Sequence, residues 1–140
     1  MAGYSGTPLV KKLGIKENFN AAILNAPAGF TRTLDLPAGV KLNSRSPRPL
    51  DFAMLFVKSK RELDAKFLPC AAQLAPAGML WISWPKKASG VATDLTDNVV
   101  RELGLAKGMV DVKVCAVDDV WSGLKFVFRL QDRAKIKNRR

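Results

Sequence analysis

Lys86, Lys87, Ser89 and Gly90 are the residues of this chain best suited by type and spacing to chemistry, and that chemistry is the holding of an anion. Two ammonium groups attract a phosphate or carboxylate. A serine and a glycine let backbone amides approach it, and a helix start just beyond would add unpaired N–H groups. Thr93 or Asp94 is placed to cap that helix, with Asp97 favourable in its first turn. The sequence contains no histidine, which excludes histidine bases, Ser-His-Asp and Cys-His nucleophiles and histidine metal sites. Any proton transfer would fall to lysine or aspartate, and no catalytic residue can be assigned. Cys70 and Cys115 are far apart and set in apolar surroundings, so they read as small hydrophobes, with no metal site and no disulfide expected.

The loop needs a strand before it and a helix after it. Met79 to Trp84 is apolar except for Ser83 and lies between Gly78 and Pro85, which predicts a strand covered on both faces. Leu95, Val99, Leu103 and Ala106 follow at helical spacing, with Gly108 as the C-terminal cap. Further strands are predicted over Phe19 to Leu24, Val40 to Asn43, Asp51 to Val57, Val110 to Val117 and Leu124 to Leu130. Ser59 and Glu62 form a capping box for a helix whose stripe is Leu63, Phe67, Cys70 or Ala71, and Leu74. Pro69 predicts a kink there or a new short helix, and Ala75 to Gly78 predicts a turn. Gly3, Tyr4, Ser5 and Gly6 read as extended, and residues 44–49 as a polar, proline-rich loop. Leu9, Val10, Leu13 and Ile15 predict one short helical turn over the sheet edge, ended by Gly14.

Parallel strands joined by right-handed crossovers bring their carboxyl ends to one edge, where ligands bind. That edge would collect Asn25, Lys58, Ser59, Trp84, Lys86, Lys87, Ser89 and Gly90, joined by Asp118, Asp119, Trp121 and Ser122 from the last turn. The expected crevice holds two tryptophans, several lysines and two carboxylates. Each also has a structural use: Asn25, Asp118 and Asp119 hold turns, Lys58 snorkels, and Trp84 and Trp121 cover the sheet end.

A chain of 140 residues is expected to form one domain over residues 1–130, with a basic tail at 131–140. Apolar residues at 48% and charged residues at 25% are those of an ordinary soluble protein. No apolar run approaches the roughly 20 residues that span a bilayer, and no signal-peptide pattern opens the chain, so no membrane partner and a cytoplasmic location are expected. The net charge of +11 attracts nucleic acid nonspecifically. The tail holds Arg133, Lys135, Lys137, Arg139 and Arg140 against Asp132, but no aromatic interleaves them, and it reads as a frayed, solvated terminus.

On Tyr4 to Ile15, Leu24 to Phe30, Trp84 to Gly90, Asp94 to Leu105 and Val110 to Val127 the chain resembles an uncharacterised bacterial family of unknown function. It also resembles, through residues 75–84 and the terminal hairpin with Trp121, the Rossmann-like fold of S-adenosylmethionine-dependent methyltransferases. That second resemblance implies a glycine-rich cofactor loop after the first strand and an acidic residue ending the second. Here the loop is residues 25–30, NAPAGF, and the second strand ends at Leu42, Asn43 and Ser44 without an acid, so no cofactor is expected to be held.

The fold expected is α/β, a small Rossmann-like three-layer sandwich of about six mostly parallel strands with a C-terminal antiparallel strand. The function expected is a methyltransferase-like protein that binds an anionic small ligand or a protein partner, with a second copy of the chain admitted. The alternatives are an active methyltransferase with altered cofactor contacts, and nonspecific nucleic-acid binding.

Overall fold

The apolar runs of Leu50–Phe56 (β3) and Leu74–Pro85 (β4) lack strict alternation, so both of their faces must be covered, and they form the middle of a six-stranded sheet. The computed structural model describes residues 8–43 and 49–137. The elements in order are α1 (Leu9–Leu13), β1 (Asn20–Leu24), β2 (Lys41–Leu42), β3, α2 (Lys60–Ala71), β4, α3 (Asp97–Ala106), β5 (Met109–Ala116), β6 (Trp121–Phe128) and α4 (Arg133–Lys137). The sheet order is β2-β1-β3-β4-β6-β5. Strands β1 to β4 are mutually parallel, and β6 runs antiparallel to both β4 and β5. The architecture is the expected α/β, Rossmann-like sandwich with its last strand reversed.

The period of two along each strand sorts the core into two clusters. Ala53, Leu55, Leu80, Ile82, Trp84, Leu124 and Phe126 face α2 and α3, which contribute Leu63, Phe67, Val100 and Leu103. Phe52, Met54, Phe56, Trp81 and Trp121 face the other way, under Val10, Leu13, Ile15, Phe30 and Leu34. Two full helices therefore cover one face, while a five-residue helix and a stretch of coil cover the other.

Several local expectations are corrected. The first helical turn ends at Gly14, which adopts φ 84°, but it lies over the face of the sheet rather than its edge. The buried Trp81 indole Nε1 donates to the Leu13 carbonyl at 2.8 Å, pulling α1 onto the middle strands. Pro69 does not start a new helix: α2 runs unbroken through it to Ala71. An interior proline costs about 3 kcal/mol. Here the carbonyl left without a donor belongs to exposed Ala65, where water can serve it, and continuing the helix seats Cys70 and Ala71 in the core. Ala75 to Gly78 is not a turn but an irregular part of β4. Leu50 and Phe52 pair with Leu74 and Met79, so the intervening residues bulge out.

Helix α3 is capped by Thr96, whose hydroxyl accepts from Val99 N, and not by Thr93 or Asp94. The Glu62 carboxylate closes its capping box on the amide of Lys58 rather than that of Ser59, at 3.0 Å. The tail expected to fray is helical over Arg133–Lys137, and Ile136 packs against the core. The readings for Gly3 to Gly6, for residues 44–48 of the proline-rich loop and for residues 138–140 lie outside the described residues.

Gly104 sits on α3 directly above Phe126, where a Cβ would stand 2.1 Å from the ring. Phe126 is fully buried and held edge-to-face by Phe67 at 5.5 Å, so it cannot swing aside. Glycine to alanine in a helix ordinarily stabilises by about 1 kcal/mol. Gly104→Ala is expected to destabilise instead, by about 1–3 kcal/mol in urea unfolding, as overpacking does. An unchanged or raised midpoint would contradict this packing.

Candidate functional site

The strand directions decide which residues meet. β1 leads into Asn25, β3 into Lys58, β4 into Lys86 and β5 into Asp118, all at the carboxyl edge. β6 starts from that edge, with Trp121 paired to Pro85. The chain steps from β1 outward to β2 and then back to β3, so the order reverses between β1 and β3. In open α/β sheets that reversal opens a crevice.

The residues do not share one cleft, however. Trp84 belongs to the cluster under α2 and α3, whereas Trp121 belongs to the cluster on the opposite face. The parity of β4 and its register with β6 separate them, which corrects the expectation of a crevice lined by both. Trp84 and Trp121 are only 4% and 8% exposed, so neither offers a free ring to a ligand.

The loops at this edge are largely occupied with themselves. Asn25 is exposed and turns the chain at φ 58°. The exposed Lys58 is fixed through its backbone, its carbonyl accepting from Thr93 Oγ1 at 2.6 Å. Lys86 is half-buried, and its N–H donates to the Val120 carbonyl at 2.7 Å. Its carbonyl accepts from the Ser89 amide at 3.0 Å and the Ser89 hydroxyl at 2.6 Å. Ser89 Oγ in turn accepts from Val91 N, and Gly90 N donates to the Lys87 carbonyl. Lys87 itself is exposed.

The amides expected to cradle an anion at Ser89, Gly90 and Val91 are therefore already bonded, and α3 begins only at Asp97. A carboxylate of the chain also stands at a neighbouring helix start: Asp94 Oδ1 accepts from Lys60 N at 2.7 Å, in the first turn of α2. What the edge presents to solvent is side-chain charge. Asp118 folds back on its own turn, its Oδ1 accepting from the amides of Val120 and Trp121 at 2.8 Å each. The Ser122 carbonyl accepts from the Ser83 hydroxyl, locking β6 to β4.

Sequence reasoning named Trp121 at the crevice but missed Phe30 and Phe56, which fill it together with that ring. Phe30, at the end of the NAPAGF loop, meets Phe56 edge-on at 4.9 Å. Phe56, the last residue of β3, meets Trp121 edge-on at 5.0 Å. The available signal was the aromatic just after Gly29, in a place where a cofactor loop continues with small residues. Asn43 was also overlooked. At the end of β2 its side chain accepts from Ile23 N at 2.8 Å, repairing the ladder beyond a two-residue strand.

Burial raises the thiol pKa of Cys70 and of Cys115, so neither is a ready thiolate. Among the described residues no group of acids and cysteines could hold a metal ion, and no helix is long and apolar enough to cross a membrane.

No protein-family model and no curated protein matches the sequence. Solved structures do match in fold. A SAM-dependent methyltransferase from Aquifex aeolicus superposes with a TM-score of 0.58 at 14% identity, over 84% of this chain and 86% of that one. The Methanococcus jannaschii fibrillarin pre-rRNA processing protein gives 0.57 at 13% identity, over 81% and 68%. A putative methyltransferase from Thermoplasma acidophilum gives 0.55 at 9%, over 84% and 71%. The fold is methyltransferase-like. At these identities the likeness is one of architecture.

The cofactor implied by that architecture does not fit the residues present. Pro27 lacks an amide, Phe30 N is bonded to the Pro27 carbonyl, and the Phe30 ring is packed down on Phe56. Where an acid would meet a ribose stands Asn43, committed to Ile23.

Asp118 is thus a turn residue in this fold. Asp118→Ala is expected to lower stability by about 1–3 kcal/mol in denaturant unfolding, the range for losing charge-assisted bonds to buried amides. Asp118→Asn should retain most of the loss-sensitive stability, since its amide oxygen can still accept. An alanine variant as stable as the parent would contradict the role.

Proposed function

We propose that this is a non-catalytic, methyltransferase-like binding protein whose carboxyl-edge loops hold a small anionic ligand through Lys58, Lys86 and Lys87. The observation that carries the reading is that two adjacent parallel strands, β3 and β4, deliver these lysines to one edge, and none forms an ion pair among the described residues. The neighbouring crevice is filled by Phe30, Phe56 and Trp121, which favours a ligand bound at the loops over a cofactor bound between strands. Ser89, Gly90 and Ser122 border the same edge and shape it through their backbone bonds, and Asn25 borders it at a turn with φ 58°. Grouping the chain with the uncharacterised bacterial family rests on the motifs named above alone, since no family model matches the sequence.

Methyl transfer is the reading that likeness of fold alone would favour. It requires cofactor contacts that Asn43 and Phe30 do not supply here, and with histidine absent its acid–base work would rest on lysine or aspartate.

Solvent-exposed lysines bind by screened attraction, so affinity should fall as salt shortens the Debye length from about 10 Å at 0.1 M to about 3 Å at 1 M. A thermal-unfolding screen of carboxylates, phosphates and nucleotides tests the reading. At least one anion is expected to raise Tm at low salt, with the shift lost in Lys86→Ala/Lys87→Ala. The absence of any shift across the panel, or the survival of every observed shift in the double substitution, would sink the proposal.

A further inference from the structure

A second concentration of positive charge lies on the thinly covered face, away from the carboxyl-edge lysines. Lys113 on β5 and Lys125 on β6 are direct cross-strand partners, and Lys125 also pairs with Trp81 on β4. Like charges set opposite one another on adjacent strands repel. Lys12 joins them from α1: Lys113 Nζ donates to the Lys12 carbonyl at 3.2 Å. Together with the indole bond from Trp81 to Leu13, this docks the carboxyl end of α1 over the middle of the sheet. Lys16 follows in the adjoining coil. Burial, then the charges of Lys113 and Lys16, push the half-buried Lys125 ammonium below the usual lysine range. Among the described residues none of the four forms an ion pair.

This arrangement works against the fold. Twelve acidic residues are available in the sequence, and the ion pairs described lie elsewhere. Charges held together without compensation mark places where a sequence serves something other than stability. The cluster is local: Lys113 stands directly across from half-buried Lys125, and the ammonium of Lys113 is tied to the Lys12 backbone of α1. It is not a stripe of the kind that follows a nucleic-acid backbone, and among the described residues no aromatic is among the large apolar side chains exposed for base stacking. Lys16 also borders a cavity of about 590 Å³ lined by Pro8, Val10, Ile15 and Pro37 and by the charged Lys11, Glu17 and Asp35.

We propose that Lys12, Lys16, Lys113 and Lys125 form a binding site for a compact oligophosphate group, free or carried by a nucleotide. The site is independent of the carboxyl-edge reading and stands if that reading fails.

Thermal unfolding at low salt with tripolyphosphate, ATP and a single-stranded oligonucleotide tests it, in the parent protein, in Lys113→Gln/Lys125→Gln and in Lys86→Ala/Lys87→Ala. Tripolyphosphate and ATP are each expected to raise the parent's Tm by several degrees, and the Lys86/Lys87 variant should keep that response. Lys113→Gln/Lys125→Gln should lose both responses. Equal responses to the two probes assign recognition to the phosphate chain. A larger response to ATP assigns it to a nucleotide whose body uses the cavity. Both outcomes support the site. As a readout on the unsubstituted chain, tripolyphosphate should slow alkylation of half-buried Cys115, which lies two residues from Lys113 and feels the charges of Lys12 and Lys113. No response to either phosphate, a response that survives Lys113→Gln/Lys125→Gln, a response to the oligonucleotide alone, or unaltered Cys115 alkylation would each overturn it.

Discussion

Phe56 holds the functional end of this molecule together by touching two aromatic rings at once. Phe30 and Trp121 each lie edge-on to it, at 4.9 Å and 5.0 Å. Such pairs add about 0.5–1.5 kcal/mol each beyond the area they bury. Their consequence is larger than that sum. They tie the coil after β1, the end of β3 and the start of β6 to a single point. The thinly covered face needs this, because α1 has only five residues and cannot span the sheet. Aromatics from the coil do the covering that a longer helix would do, and in doing so they fill the reversal between β1 and β3 where this architecture opens to a ligand.

The two faces also differ in how they handle charge. Lys66 with Glu62, Arg101 with Asp111 and Lys107 with Asp64 are paired on or beside α2 and α3. Among the described residues the lysines of β5 and β6 on the α1 side form no ion pair, and at the carboxyl edge Asp94 is taken up by the start of α2. The loop edge and the flank of α1 both carry such unpaired positive charge. Methyltransferase-like architecture supplies the scaffold, while the surface chemistry belongs to this chain.

Local patterns carried much of the fold into the sequence. Ser59 with Glu62 announced α2, the unalternating runs announced β3 and β4, and the short link after β5 required an antiparallel partner. Pairing across space was harder to see. Thr93 and Asp94 look like caps for the helix that follows them, yet Asp94 serves Lys60 and Thr93 serves the Lys58 carbonyl. No pattern over neighbouring residues distinguishes those choices, because the preference of Asp and Thr for exposed amides is the same in both. Trp84 and Trp121 seemed to share a crevice because both lie at strand ends. Their separation depends on the register of β6 against β4, which the sequence does not display. The Lys113–Lys125 pair was hidden for the same reason, with an irregularity between Asp111 and Lys113 shifting that register.

Whether the filled reversal has changed what the fold can hold is decided by calorimetric titration of the protein with S-adenosylmethionine. Closure by Phe30, Phe56 and Trp121 predicts no binding heat up to millimolar cofactor. A saturable heat with micromolar affinity, accompanied by a change in tryptophan fluorescence, would show that the trio opens and that the crevice still accepts the cofactor of its structural relatives.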